Sequence, residues 1–156
     1  MKFVCLIAVK DVTAARRFYE DVFGLTVTED FGRMVGFGCG LVLQQDFHWL
    51  TGVSQEEMKD QENNCELVFE LGEFDGLVQT VKQRRDITLL HDVKTHPWGQ
   101  RVIRFYDLDN HLIEVGESMK TVVRRFLLKG LDMEQIADKM DVTIRDVKNM
   151  LEAEDC

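Results

Sequence analysis

The residues of this chain best placed to do chemistry are carboxylates set into apolar strands. In the run from Cys65 to Leu71 side chains alternate between faces, so Cys65, Leu67, Phe69 and Leu71 form an apolar set while Glu66, Val68 and Glu70 turn the other way. In Leu112-Ile113-Glu114-Val115, the apolar pair Ile113 and Val115 likewise leaves Glu114 on the opposite face. A carboxylate fixed on a sheet face can take a proton from carbon next to a carbonyl, or give oxygen ligands to a divalent ion. His48, His91, His96 and His111 fall in loops or at strand ends, without the i, i+2 or i, i+4 spacing of a ligand pair, and read as surface or turn residues. His48, beside Phe47 and Trp49, is also a candidate for the mouth of a pocket. Trp49 and Trp98 could stack on an aromatic ligand, although packing at a core or rim is the commoner role of such rings, and Trp98 is read as rim.

Strands and helices must hold these groups, and their pattern occurs twice. Residues 3–9 read as a strand, and Val12 to Phe23 as a helix with Ala15, Phe18, Tyr19 and Val22 inward and Gly24 as its stop. Thr26 to Glu29, Met34 to Phe37 and Leu41 to Gln45 follow as short strands punctuated by glycine and aspartate. Residues 51–64 carry little apolar content and read as a linker with one helical turn. The order then repeats: strand Cys65 to Leu71, helix Phe74 to Arg85 with Leu77, Val78 and Val81 inward, and strands Ile87 to Asp92, Arg101 to Asp107 and Leu112 to Glu117. The fold class is therefore α+β, with tandem βαβββ modules at residues 1–50 and 65–118. Their curved mixed sheets are expected to surround a concave pocket.

Composition narrows the class of function. The chain has 156 residues, 45% hydrophobic and 30% charged, enough to bury a real core in one globular domain with an appendage. No apolar run approaches the roughly 18 residues that span a bilayer, and the apolar start is too short for a signal peptide, so the expected location is the cytoplasm with no membrane partner. The cysteines at 5, 39, 65 and 156 lack CxxC spacing and read as reduced and structural. A formal charge of -9 argues against general nucleic-acid binding and favours solubility or the attraction of a cationic ligand.

Two motifs make the repeat specific. The opening, Val9-Lys10-Asp11 through Arg17-Phe18-Tyr19 to Phe23-Gly24, and the close, Asp107-Leu108-Asp109-Asn110-His111 to Glu114, occur in the right repeat order. Together they resemble the glyoxalase/bleomycin-resistance/extradiol-dioxygenase family, the vicinal oxygen chelate superfamily, over residues 1–118. The chain departs from the usual Pro and Gly of the closing turn, but Asn110 tolerates the left-handed backbone that such a turn needs.

The resemblance implies four metal ligands on pocket-facing strand positions, which this chain meets only in part. The first falls at Val4, which cannot coordinate, and the next at Gln44, with Leu43 as the one-residue alternative. The third falls at Glu66 and the last at Glu114, both oxygen donors. By family position Arg104 shares that face with Val102 and Tyr106. Its guanidinium can pair bidentately with Glu114 or Glu66, or bind a substrate carboxylate or phosphate. The expectation is an internal ion pair without metal; the alternative is a divalent ion (Ni, Zn, Mn, Mg or Fe) on Glu114, Glu66 and Gln44.

Residues 119–156 lie beyond the family domain as a helical extension. Met119 to Lys129 reads as an amphipathic helix with Val122, Val123, Phe126 and Leu127 inward. Asp132 with Gln135, then Thr143, cap two more. The last two resemble half of a helix-turn-helix, but Arg145 and Lys148 are offset by Asp146 and Glu152, so partner docking or dimer capping is expected rather than DNA binding.

The leading functional expectation is a glyoxalase-like, lactoylglutathione-lyase-like enzyme of lyase or isomerase type, acting on an oxygenated or anionic small molecule. Glu114 and Glu66 would be bases or ligands, and Arg104, Tyr106, Trp98, His48 and Trp49 would contact substrate. The alternatives are a bleomycin-resistance-type protein that sequesters a ligand or drug without catalysis, and a ligand sensor signalling through its helical tail. A homodimer is expected from the family's shared pockets.

Overall fold

The computed structural model describes residues 1 and 3–153, so Cys156 lies outside the described residues. Cys5, Cys39 and Cys65 are free thiols. Two compact units are present, Met1–Cys65 with Tyr106–His111, and Glu66–Phe105 with the chain from Leu112 onward. No helix among the described residues is long and apolar enough to cross a membrane.

The first unit holds a mixed sheet of β1 (Cys5–Val9), β2 (Val27–Asp30), β3 (Met34–Phe37) and β4 (Leu41–Gln45), in the order β1-β4-β3-β2. Helix α1 (Val12–Phe23) starts where the Asp11 carboxylate accepts from the amides of Thr13 and Ala14, and stops at Gly24, whose φ of 65° is left-handed. It buries Val12, Ala15, Phe18, Tyr19 and Val22, with the Tyr19 ring centroid 6.1 Å from that of Phe37. Phe37, Val35 and Leu43 thus share the helix face, whereas Ala8, paired with Gln44, and Leu6, paired with Val42, lie on the other. Of the two adjacent candidates, Gln44 lies buried on the face away from α1 and Leu43 packs under α1.

A short helix, α2 (Phe47–Thr51), follows β4 where a loop was expected, so His48 and Trp49 are helical. Asp46, at a φ of 56°, turns the chain into it. The linker after it is tied down within this unit. Lys10 Nζ reaches Asp60 at 3.1 Å, and the Tyr106 hydroxyl donates to Asn63 Oδ1 at 2.8 Å.

The second unit holds β5 (Leu67–Leu71), β6 (Thr88–Thr95), β7 (Arg101–Tyr106) and β8 (Leu112–Glu117), in the order β5-β8-β7-β6. β5 runs parallel to β8, as β1 does to β4, so the βαβββ unit is repeated. Helix α3 (Phe74–Gln83) covers one face with Phe74, Leu77 and Val81. The register pairs Val68 with Glu114 and Glu70 with Gly116, which sets these residues and Glu66 on the face away from α3. Two expectations need correction. Cys65 is exposed and precedes β5, so it is not part of the apolar set. β6 runs on past Asp92 to Thr95 as an exposed edge strand, which places His91 inside a strand rather than near its end.

The extension forms α4 (Met119–Leu128), α5 (Met133–Met140) and α6 (Ile144–Glu152) around a core of Val122, Val123, Phe126, Ile136, Ala137, Met140 and Val147. Capping boxes open both α5, through Asp132 and Gln135, and α6, through Thr143 and Asp146. Leu127 is 38% exposed instead of inward. At about 100° per residue it stands roughly a quarter turn from the centre of the stripe of Val122, Val123 and Phe126.

Candidate functional site

On the β5-β8-β7 face, Arg104 binds two carboxylates at once. Its Nε donates to Glu66 Oε2 at 2.9 Å, and its Nη2 forms an ion pair with Glu114 Oε2, an oxygen that has no directed hydrogen bond. Its Nη1 lies 3.4 Å from His91 Nε2. A guanidinium only donates, so His91 Nε2 accepts, and Nδ1 gives its hydrogen to the Asp92 carbonyl at 2.7 Å. The side chains of Arg104 and Glu114 are largely buried and that of Glu66 is partly so, a setting in which a paired charge is held more firmly than at the surface.

Further along the same face, Gln100 joins three groups. Its Nε2 donates to the Glu117 carbonyl at 3.0 Å and to Glu70 Oε1 at 3.4 Å, and its Oε1 accepts from Trp98 Nε1 at 3.1 Å. Gly116 leaves the room for this, since a Cβ there would lie 2.9 Å from Gln100 Nε2. Trp98 stacks on His96 with ring centroids 4.2 Å apart and is 37% exposed. The face thus carries three carboxylates, Glu66, Glu70 and Glu114, against one guanidinium. Glu70 is exposed and keeps open acceptor positions.

The other sequence candidates lie in the first unit. Gln44 is buried, with its amide nitrogen donating to the Gln45 carbonyl at 2.6 Å. His48 Nδ1 is 3.3 Å from Gln55 Nε2. Trp49 is 69% exposed, with the Arg33 guanidinium 6.0 Å from its ring centre. The Tyr106 hydroxyl is engaged by Asn63. No described contact joins these four to Arg104. Among the described residues, no group of three or more His, Cys, Asp or Glu side chains is placed to hold a metal. The donor chemistry agrees: Val4 has no donor atom, and Glu66 and Glu114 both hold a cation already. This set does not fit a resident divalent ion.

Two buried carboxylates were not singled out from the sequence. Asp107 accepts from the Tyr19 hydroxyl at 2.7 Å, the amides of Asp109 and His111, and His111 Nδ1 at 2.9 Å. Burial pushes the Asp107 carboxyl up, but the hydrogen bond and charge of His111, with the Tyr19 hydroxyl, outweigh it and hold it below the usual range. Burial pulls the His111 imidazole down, and the Asp107 bond and charge, aided by Asp109 and Asp60, raise it above its ordinary value. His111 is therefore an internal partner of a buried acid, not merely a turn residue. The signal was present in the chain, because Tyr19 and Asp107 belong to the opening and closing motifs.

Glu117 is fully buried and held by Arg101, at 3.1 and 3.2 Å, and by Arg125 of α4, at 2.8 and 3.2 Å. Burial raises its carboxyl, and the bonds from Arg125 and Arg101 together bring it below the usual range. In the tail, Asp138, Asp141 and Asp146 line a hollow of about 520 Å³ between α5 and α6 with Ala137, Val142 and Thr143. Three carboxylates there repel a phosphate backbone rather than attract it.

Residues 2–120 match the glyoxalase-like domain family. This chain belongs to that family. The glyoxalase-like domain is similar to a solved Agrobacterium tumefaciens C58 protein of unknown function, at 35% identity and a TM-score of 0.65, covering 76% of this chain and 94% of that one. A glyoxalase/bleomycin resistance protein/dioxygenase family enzyme from Burkholderia phytofirmans PsJN shares the fold at 17% identity and a TM-score of 0.64, over 73% of this chain and 95% of its own. So does a lactoylglutathione lyase from Agrobacterium tumefaciens, at 23% identity and a TM-score of 0.55, over 75% and 94%. No curated protein matches the chain. α5 and α6 lie beyond the matched residues.

Proposed function

We propose that this glyoxalase-like protein is a small-molecule-binding protein that sequesters a cationic ligand on the β5-β8-β7 face and needs no metal to do so. The observation that carries the reading is the double occupation of Arg104 by Glu66 and Glu114. A guanidinium bound by two carboxylates is a poor receptor for an anionic substrate, and those carboxylates are poor receptors for a metal. Arg104 therefore ceases to be an obstacle to a cation, and Glu70, joined through Gln100 to the Trp98 indole, offers an open acceptor on the same face. The acidic balance of the chain attracts the same class of ligand.

Thermal denaturation with benzyltrimethylammonium and, separately, benzoate tests this. The ammonium ion should raise the melting temperature, because ligand at about 100 times its Kd adds roughly 2.7 kcal/mol to the native state. Stabilisation by benzoate and not by the ammonium ion overturns the proposal.

A lyase remains the second reading, favoured by the convergence of Glu66, Glu114 and His91 on one guanidinium. A substrate oxygen that displaced one carboxylate from Arg104 would free a base beside a group able to stabilise an enediolate. Formation of lactoylglutathione, assayed with and without added Ni, Zn, Mn, Mg or Fe, decides it. The homodimer expected from the family belongs to the same proposal, and sedimentation at micromolar concentration tests it.

A further inference from the structure

Tail helix α4 is fastened to the hairpin that carries Trp98 and Gln100. Arg125 Nη2 donates to the Gly99 carbonyl at 2.6 Å, while the same guanidinium holds Glu117. Gly99 has a φ of 93°, and a Cβ there would collide with the Phe126 ring, so α4 supports this turn both through a hydrogen bond and through direct packing. From Glu117 and Gly99 the connection continues into Gln100, and from Gln100 to Glu70 and Trp98. Each link is a hydrogen bond or the covalent step from Gly99 to Gln100.

Charge balance is only part of what Arg125 supplies. Arg101 gives Glu117 two hydrogen bonds and also pairs with the exposed Asp75 at 2.9 and 3.2 Å, so Arg125 is the second cation of a four-group cluster. The tail core closes on apolar side chains from α4, α5 and α6. What Arg125 adds is the bond to Gly99 and the second clamp on the strand end that receives Gln100.

We propose that Arg125 is a positioning residue for the ligand face: through Gly99 and Glu117 it fixes Trp98 and Gln100 beside Glu70, so the tail sets the affinity of the site. Its functional half rests on the ligand-binding reading above. The conservative change, Arg125→Lys, keeps the charge and loses the planar fork, and Arg125→Met loses both.

The test uses the full chain carrying Trp49→Phe, which leaves Trp98 as the remaining tryptophan. Acrylamide quenching of Trp98 fluorescence and titration with benzyltrimethylammonium are compared across Arg125, Arg125→Lys and Arg125→Met, with far-ultraviolet circular dichroism to follow helix content. Arg125→Met should raise the quenching constant about twofold and weaken binding about tenfold with helix content retained, the scale of one lost charge-assisted hydrogen bond, and Arg125→Lys should fall between. Unchanged quenching and affinity overturn the proposal. If Arg125→Met fails to fold, Gln100→Leu breaks the connection without touching the tail and should reproduce both effects; an unaltered Gln100→Leu overturns it equally. A wild-type chain that does not bind the ammonium probe overturns the ligand-binding reading, and the quenching comparison then decides the positioning role by itself.

Discussion

Tyr19 on α1 donates its hydroxyl to Asp107 across 2.7 Å, joining residues 88 positions apart in the chain. The opening and closing motifs of the family are therefore two halves of one buried contact, to which the amide of Lys10 adds a bond to Asp109 at 2.8 Å. Tyr19→Phe keeps the ring and removes the donor. It should cost about 1–3 kcal/mol in urea denaturation, the penalty for leaving a buried charged acceptor short of a partner. Equal stability of variant and wild type would show that Asp107 does not depend on it.

The His111–Asp107 pair should give stability a definite pH dependence. The raised His111 group contributes fully below the ordinary histidine value and loses its contribution as pH rises through its raised folded value. The lowered Asp107 group contributes above the ordinary carboxylate range and loses its contribution as pH falls through its lowered folded value. Both contributions coexist at mildly acidic pH. The melting temperature should thus decline from mildly acidic to alkaline pH, and His111→Gln should flatten that limb; an identical slope in the variant sinks the assignment.

Glu117→Gln puts a neutral group at a fully buried position between two partly exposed arginines, of which Arg101 keeps Asp75. Removing one partner of a buried pair costs about 3–5 kcal/mol, so a large drop in denaturation midpoint is expected. Glu117 also belongs to the acid limb of the stability curve, because its lowered carboxyl loses its contribution as pH falls through the folded value. A loss below about 1 kcal/mol would mean that the two arginines find other partners.

Arg104→Met should change what the sheet face binds. Without the guanidinium, Glu66 and Glu114 face one another unneutralised, and manganese should stabilise the variant more than it stabilises the wild type. Calorimetric titration of both proteins with manganese reads this directly. Matching responses would remove Glu66 and Glu114 from any cation-binding role.

Much of this was legible in the sequence wherever the signal is local. α1 and α4 declare themselves through apolar spacing, and α5 and α6 through caps at Asp132 and Thr143, whereas the caps at Asp11 and Ser118 emerge in the structure. α2 does not, since five residues give no periodicity and Asp46 makes no side-chain cap bond. The end of β6 was also hidden, because its last residues are held as an edge strand and carry no buried apolar pattern. Alternation sufficed to put Glu66 and Glu114 on one face, and the chemistry of Arg104 suggested their pairing. His91 and Gln100 join the site through neighbours across strands, and Arg125 through its bonds from α4 to Glu117 and the Gly99 carbonyl. Those relations are tertiary, and no short window of sequence contains them.

The turn after β7 has a consequence for the order in which the chain can be completed. On a nascent polypeptide the residues of α1 leave the ribosome while Asp107 has yet to be synthesised. Until that turn arrives, Tyr19 lacks its acid, Lys10 lacks Asp109, and the linker residue Asn63 lacks Tyr106. The amino-terminal module is thus finished by residues translated late, and a ribosome stalled within the linker would hold it one turn short of its native contacts.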